Sequence, residues 1–162
     1  MNPSDERILV PREMVRRAFP ADPYFGNVTN YDKDLQQELT EKNEALDEDQ
    51  DLYRMLRGRG WTEIPKYFLY SHPDGYVLLS EDAFSAFLPA WLLCALDNVE
   101  AEDEVRNFLV YAFSNTAQQL RHLNQEQRRT VRALLAEFAG RGTEAPVRKL
   151  IPQAIEYLDR LG

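Results

Sequence analysis

The segment from Val77 to Asn98, VLLSEDAFSAFLPAWLLCALDN, limits the fold of this chain more than any other. It is the one apolar segment with no polar face: from Ala83 to Leu96 the only polar side chain is that of Ser85. A helix that is apolar all round has to be enclosed, so the rest of the chain must supply a shell for it. A membrane-spanning helix needs about 20 apolar residues. This run is shorter and flanked by acids, and it reads as a buried central helix over about residues 81–96.

Its start is specified locally. Ser80 is a good N-cap, since its hydroxyl can accept from a first-turn N–H, and Glu81 and Asp82 then complement the helix dipole. Leu79 and Phe84 are spaced to close as a hydrophobic staple. Pro89 lies in the interior, where it removes a backbone bond at a cost of about 3 kcal/mol. A kink is expected there, either as a bend that fits neighbouring helices or as a freed carbonyl near Ser85 that lines a pocket. Ser80, Phe84, Pro89 and Trp91 are the structural residues of this reading.

The other segments read as amphipathic helices and polar connections. With 162 residues the chain is most simply one domain with a real core. The expectation is an all-α, single-domain bundle over residues 11–162, preceded by a loose arm at 1–10. Pro11 suits a helix's first turn, and Met14, Val15 and Ala18 give a short apolar stripe that ends before Phe19-Pro20. The loop ADPYFGNVTN offers two aromatic anchors, Tyr24 and Phe25. Tyr31, Leu35, Leu39 and Leu46 form the thin stripe of a peripheral helix capped by Thr29 or Asn30.

Further on, Thr62 can cap a short helix running through Tyr70, HPDG at 72–75 is a turn, and YVLL at 76–79 reads as a brief extended segment. Val105, Phe108, Leu109, Ala112 and Phe113 follow helical spacing behind a run of acids. Asn124 with Gln127 forms a capping-box pair for a helix that buries Val131, Leu134, Leu135 and Phe138 and stops at Gly140. Thr143 can cap the last helix, which Pro152 must kink or split.

Charge separates along the chain. The net charge is −8. Residues 1–104 hold 22 acids and 10 bases, whereas residues 105–162 hold 5 acids and 9 bases. This balance argues against a dedicated nucleic-acid binder and is compatible with a basic protein partner, head-to-tail self-association or plain solvated helix faces. No apolar leader opens MNPSDERILV, so the expected location is the cytoplasm.

Familiar chemistries fail on spacing. Asp47, Asp49 and Asp51 match the first three ligand positions of a calcium loop, but Leu52 stands where glycine is needed and Gly58 where a bidentate glutamate is needed. The acidic run is therefore a solvated corner or a partner-docking patch. His72, His122 and Cys94 are not at zinc-ligand spacing, and Cys94 reads as a small buried hydrophobe. There is no nucleophile elbow and no phosphate loop. His72 ahead of Pro-Asp-Gly is a turn residue before it is a base. No catalytic residue, cofactor or metal is expected. Arg121, Arg128, Arg129 and Arg132 are the one basic concentration, either a solvated face or a phosphate contact. Trp61 and the aromatics at 67–70 are either core or interface anchors.

Trp61, Leu79, Ser80, Ala83, Phe84, Leu88, Pro89 and Ala90 give this chain a Trp…Leu-Ser-x-x-Ala-Phe-x-x-x-Leu-Pro-Ala pattern. Over residues 18–97 it resembles a family of small uncharacterised bacterial proteins. The resemblance implies a bacterial origin and transfers no activity. The functional expectation is a non-catalytic protein-interaction module, in its narrower form an immunity- or antitoxin-like neutraliser whose acidic surface, Asp47, Glu48, Asp49 and Asp51 with Trp61, meets a partner. The alternatives are an enzyme or small-ligand binder with a pocket near Pro89, and a nucleic-acid accessory using the Arg121/Arg128/Arg132 face.

Overall fold

The apolar stretch folds as one continuous helix, Glu81–Asp97, with Pro89 inside it. The computed structural model describes residues 3–30, 47–97, 104–115, 118–140 and 143–161. Its helices are α1 (Pro3–Ala18), α2 (Asp47–Leu56), α3 (Lys66–Ser71), α4 (Glu81–Asp97), α5 (Glu104–Asn115), α6 (Gln125–Ala139), α7 (Ala145–Arg148) and α8 (Ile151–Arg160). Tighter 3-10 turns lie at Trp61–Glu63, Gly75–Leu78 and Gln118–His122. The fold is all-α. The peripheral helix expected after Asn30 falls outside the described residues.

α4 begins where its sequence specifies. Ser80 Oγ accepts from the Ala83 N–H at 3.3 Å and donates to the Asn27 carbonyl at 2.5 Å. The helix then buries Ala83, Phe84, Phe87, Leu88, Pro89, Ala90, Trp91, Leu92, Cys94, Ala95 and Leu96. So many buried positions occupy every side of a helix, and the shell is built accordingly: α1, α3, α5, α6 and all three 3-10 turns pack on α4. α8 closes the far side against α5 and α6, and α1 lies along α6. Pro89, expected to kink α4, does not interrupt it.

At the end of α4, Asp97 places a carboxylate where the dipole disfavours one. Arg12 of α1 pairs with it, and Lys66 of α3 approaches to 3.7 Å. Two cations from separate elements thus offset the unfavourable position. Among the described residues, no helix is long and apolar enough to cross a membrane.

Several local readings hold. The HPDG turn closes with Gly75 N–H donating to the His72 carbonyl at 2.9 Å. The Asn124–Gln127 capping box is complete, with bonds of 2.8 and 3.0 Å, and α6 ends at Gly140. Pro152 splits the last apolar stripe into α7 and α8.

Others are corrected. Within the arm expected at residues 1–10, the described residues 3–10 are helical, since α1 starts at Pro3 and runs through Pro11. Proline suits a first helical position. The extended segment at 76–79 is instead a 3-10 turn, with Leu79 N–H donating back to the Tyr76 carbonyl at 3.3 Å. Among the described residues no strand lies alongside to pair with it, and Leu79 alone forms a bridge, with Thr29. Phe25 is not an anchor, being 70% exposed, while Tyr24 packs edge-on against Phe87 at 5.4 Å. Thr143 caps no helix: its hydroxyl donates to the Phe138 carbonyl, one turn back on α6.

Gly60 marks a close crossing of two segments. A Cβ there would meet the Ala21 carbonyl oxygen at 2.2 Å, so only glycine lets the loop pass. The same crossing carries Tyr24 N–H to the Arg59 carbonyl at 3.1 Å and the Trp61 indole to the Phe19 carbonyl at 2.9 Å.

Candidate functional site

The acidic corner is assembled from two segments distant in sequence. α2 carries Glu48, Asp49 and Asp51, and the HPDG turn carries His72 and Asp74. They meet because Gly75 has no side chain: a Cβ there would press on Leu52 of α2 and Trp91 of α4, both at 3.2 Å. The turn is therefore wedged between α2 and the central helix. Trp91 fixes it from below, its indole N–H donating to the His72 carbonyl at 2.9 Å.

His72 lies at the centre of this corner. Its ring stacks on Phe68 with centroids 4.4 Å apart, Nδ1 is 3.1 Å from the Phe68 carbonyl, and Nε2 is 3.2 Å from Asp51 Oδ2. Glu48 is crowded by like charge. Partial burial raises its carboxyl above the ordinary range, and Asp74, Asp49 and Asp51 push it further, with His72 opposing them. Asp74, remote in sequence, is the largest of the charge effects.

The expected partner-binding residues divide. Asp47 opens α2, and Glu48 and Asp51 face solvent. Asp49 does not, being only 6% exposed, since the helical period that turns Leu52 and Leu56 inward carries it toward the core. Trp61 is 5% exposed and belongs to the core, with its indole bonded to Phe19. Neither is available as a surface anchor. The exposed aromatics of this neighbourhood are Tyr67 and Tyr70 on α3. Among the described residues no group of three His, Cys, Asp or Glu side chains could hold a metal ion, so the corner is a crowded charge patch.

Two clefts lie elsewhere. One of about 130 Å³ is lined by Trp61, Ile64, Leu69, Ala90, Leu93 and Cys94, with Lys66 and Asp97 at its edge. Ala90, next to Pro89, lines it, whereas Ser85 and Pro89 themselves do not. Ser85 Oγ instead donates to the Asp82 carbonyl at 3.1 Å. The second, of about 170 Å³, lies between α6 and α8 and is lined by Arg128, Arg129 and Arg132 with Gln125, Leu158 and Asp159. Arg121, grouped with them by sequence, is exposed on the Gln118–His122 turn and does not line it.

Reading the sequence misses two participants. Asp74 joins the acidic corner only through the packing of Gly75, and Asp159 reaches the arginines from another helix. Neither carries a local signal. Comparison of the chain with family models, with curated proteins and with solved structures finds no match.

Proposed function

We propose that this protein is a non-catalytic interaction module that docks a basic surface of another protein onto the Glu48–Asp51–Asp74 corner. One observation supports this above others. Glu48, Asp51 and Asp74 are held together although their mutual repulsion and partial burial raise the Glu48 carboxyl. Crowded like charges cost the free protein stability, and a cationic partner relieves that cost on binding. Tyr67 and Tyr70, exposed on α3 just before His72, supply amphipathic contact area of the kind interfaces favour.

In its narrower form the module is an immunity- or antitoxin-like neutraliser in a bacterial cytoplasm, covering the basic surface of a toxin. The experiment compares capture by the wild-type chain with capture by the triple variant Glu48→Gln/Asp51→Asn/Asp74→Asn in host extract. A protein partner is expected that dissociates as salt rises and is lost from the variant. Retention of the same partner by the variant, with unchanged salt dependence, rejects the reading. Asp49 stays unaltered in the variant because its substitution would disturb the interior of α2.

A further inference from the structure

The cleft between α6 and α8 has a charge balance opposite to that of the molecule. Its lining carries three guanidinium groups, Arg128, Arg129 and Arg132, against the single carboxylate of Asp159. Asp159 is spoken for: Oδ1 accepts from Arg132 Nε at 2.9 Å and Oδ2 from Arg132 Nη2 at 3.4 Å. Arg128 is steadied from the other side, Nη1 donating to the Leu123 carbonyl at 3.1 Å. Arg129, exposed on the same helix, has no ion-pair partner among the described residues. Each guanidinium has five N–H donors, so most of the donors facing this cleft are unspent.

The helical spacing explains the convergence. Arg128 and Arg132 are one turn apart, and Arg129 and Arg132 are three residues apart, so all three reach one edge of α6. The cleft volume of about 170 Å³ is well above the minimum needed to hold one water molecule. That accommodates one tetrahedral oxyanion. Two uncompensated positive charges match one dianion, and the planar fork of arginine suits phosphoryl oxygens better than a lysine would.

We infer that this cleft is a binding site for a single phosphate group, as the free ion or as a small phosphomonoester. A phosphodiester polymer fits poorly. An extended polyanion would run from the cleft across a protein whose net charge is −8, with residues 1–104 strongly acidic. A compact dianion stays within the local field of the arginines, because screening at physiological salt confines that field to about 8 Å. Asp159 acts as an internal competitor, occupying the fork of Arg132 that phosphate would otherwise share. This inference does not depend on the acidic corner.

The test is a titration of the full chain with inorganic phosphate at constant ionic strength, following arginine side-chain nuclear magnetic resonance signals. Saturable shifts confined to Arg128, Arg129 and Arg132 are expected. Arg129→Gln should weaken binding about tenfold, the loss expected for a charged hydrogen bond, whereas Arg54→Gln on α2 should leave it unchanged. Asp159→Asn should strengthen it severalfold by releasing Arg132. A parallel titration with glycerol phosphate separates the two sources: tighter binding of the ester makes a phosphomonoester the ligand, and weaker binding makes it the free ion. The inference is overturned if chloride at matched ionic strength gives the same shifts, if Arg129→Gln and Asp159→Asn are both without effect, or if only a single-stranded oligonucleotide binds.

Discussion

Trp91 donates its indole N–H to the carbonyl of His72 at 2.9 Å, and this bond ties the central helix to the acidic corner. The ring itself is completely buried against Tyr76, with centroids 5.8 Å apart. The helix that forms the middle of the core therefore also sets the height of the turn that carries Asp74. Trp91→Phe is predicted to cost about 1–3 kcal/mol, because it removes one of the two donors to the His72 carbonyl, leaving only the Gly75 N–H, and takes away ring contacts in the core. Denaturant unfolding measures this. A loss no larger than about 0.5 kcal/mol would show that the turn holds itself.

Glu48 should make stability depend on pH in an unusual direction for a carboxylate. Its folded pKa is raised above the ordinary 4.5, mainly by burial and then by Asp74. The folded protein thus holds this proton more tightly than the unfolded chain does. The resulting stability is fully present below the ordinary value and is lost as pH rises through the raised one. Glu48→Gln is predicted to stabilise the protein at pH 7 by a few tenths of a kcal/mol, discounted because the side chain is largely exposed. The gain should shrink as pH falls through the raised value and be absent below the ordinary 4.5. Thermal unfolding at both pH values checks the sign.

Ser80 performs two tasks with one hydroxyl, capping α4 through Ala83 and holding Asn27 of the preceding loop. Ser80→Ala is predicted to cost about 0.5–2 kcal/mol, with Ser80→Thr recovering most of it. A Ser80→Ala loss under about 0.5 kcal/mol would show that the cap contributes little.

Tyr76 is the opposite case, a polar group whose removal should help. Its hydroxyl is buried, and among the described residues it has no hydrogen-bond partner. Burial first, and then the charge of Asp74, raise its pKa. Tyr76→Phe keeps the ring against Trp91 and Phe113 while deleting the unpaired group. The prediction is a change between zero and about 1 kcal/mol in favour of the variant, read from denaturant midpoints. A clear destabilisation would reveal that the hydroxyl has a water partner.

The features legible in the sequence are those whose causes lie within a few residues. The apolar run with Ser80 before it specifies a buried helix starting at Glu81, and Asn124 with Gln127 specifies the start of α6. Pro152 divides the last stripe by the same local logic, since it cannot donate to the preceding turn. Where local preference is balanced, neighbours decide. YVLL has strand propensity, yet with Tyr76 drawn under Trp91 and no strand beside it among the described residues the segment closes as a 3-10 turn. Trp61 carries no local mark that separates core from interface; the carbonyl of Phe19, from a distant segment, places it in the core.

The sequence by itself determined an all-α chain arranged around a helix at about residues 81–96, because capping and periodicity act over one or two helical turns. Only the tertiary structure decided which charges would be neighbours. Glu48 meets Asp74 because Gly75 lets the turn slide between Leu52 and Trp91, and Asp159 meets Arg132 because α8 packs along α6. Both arrangements arise from close packing between elements far apart in the chain, which no window of neighbouring residues contains.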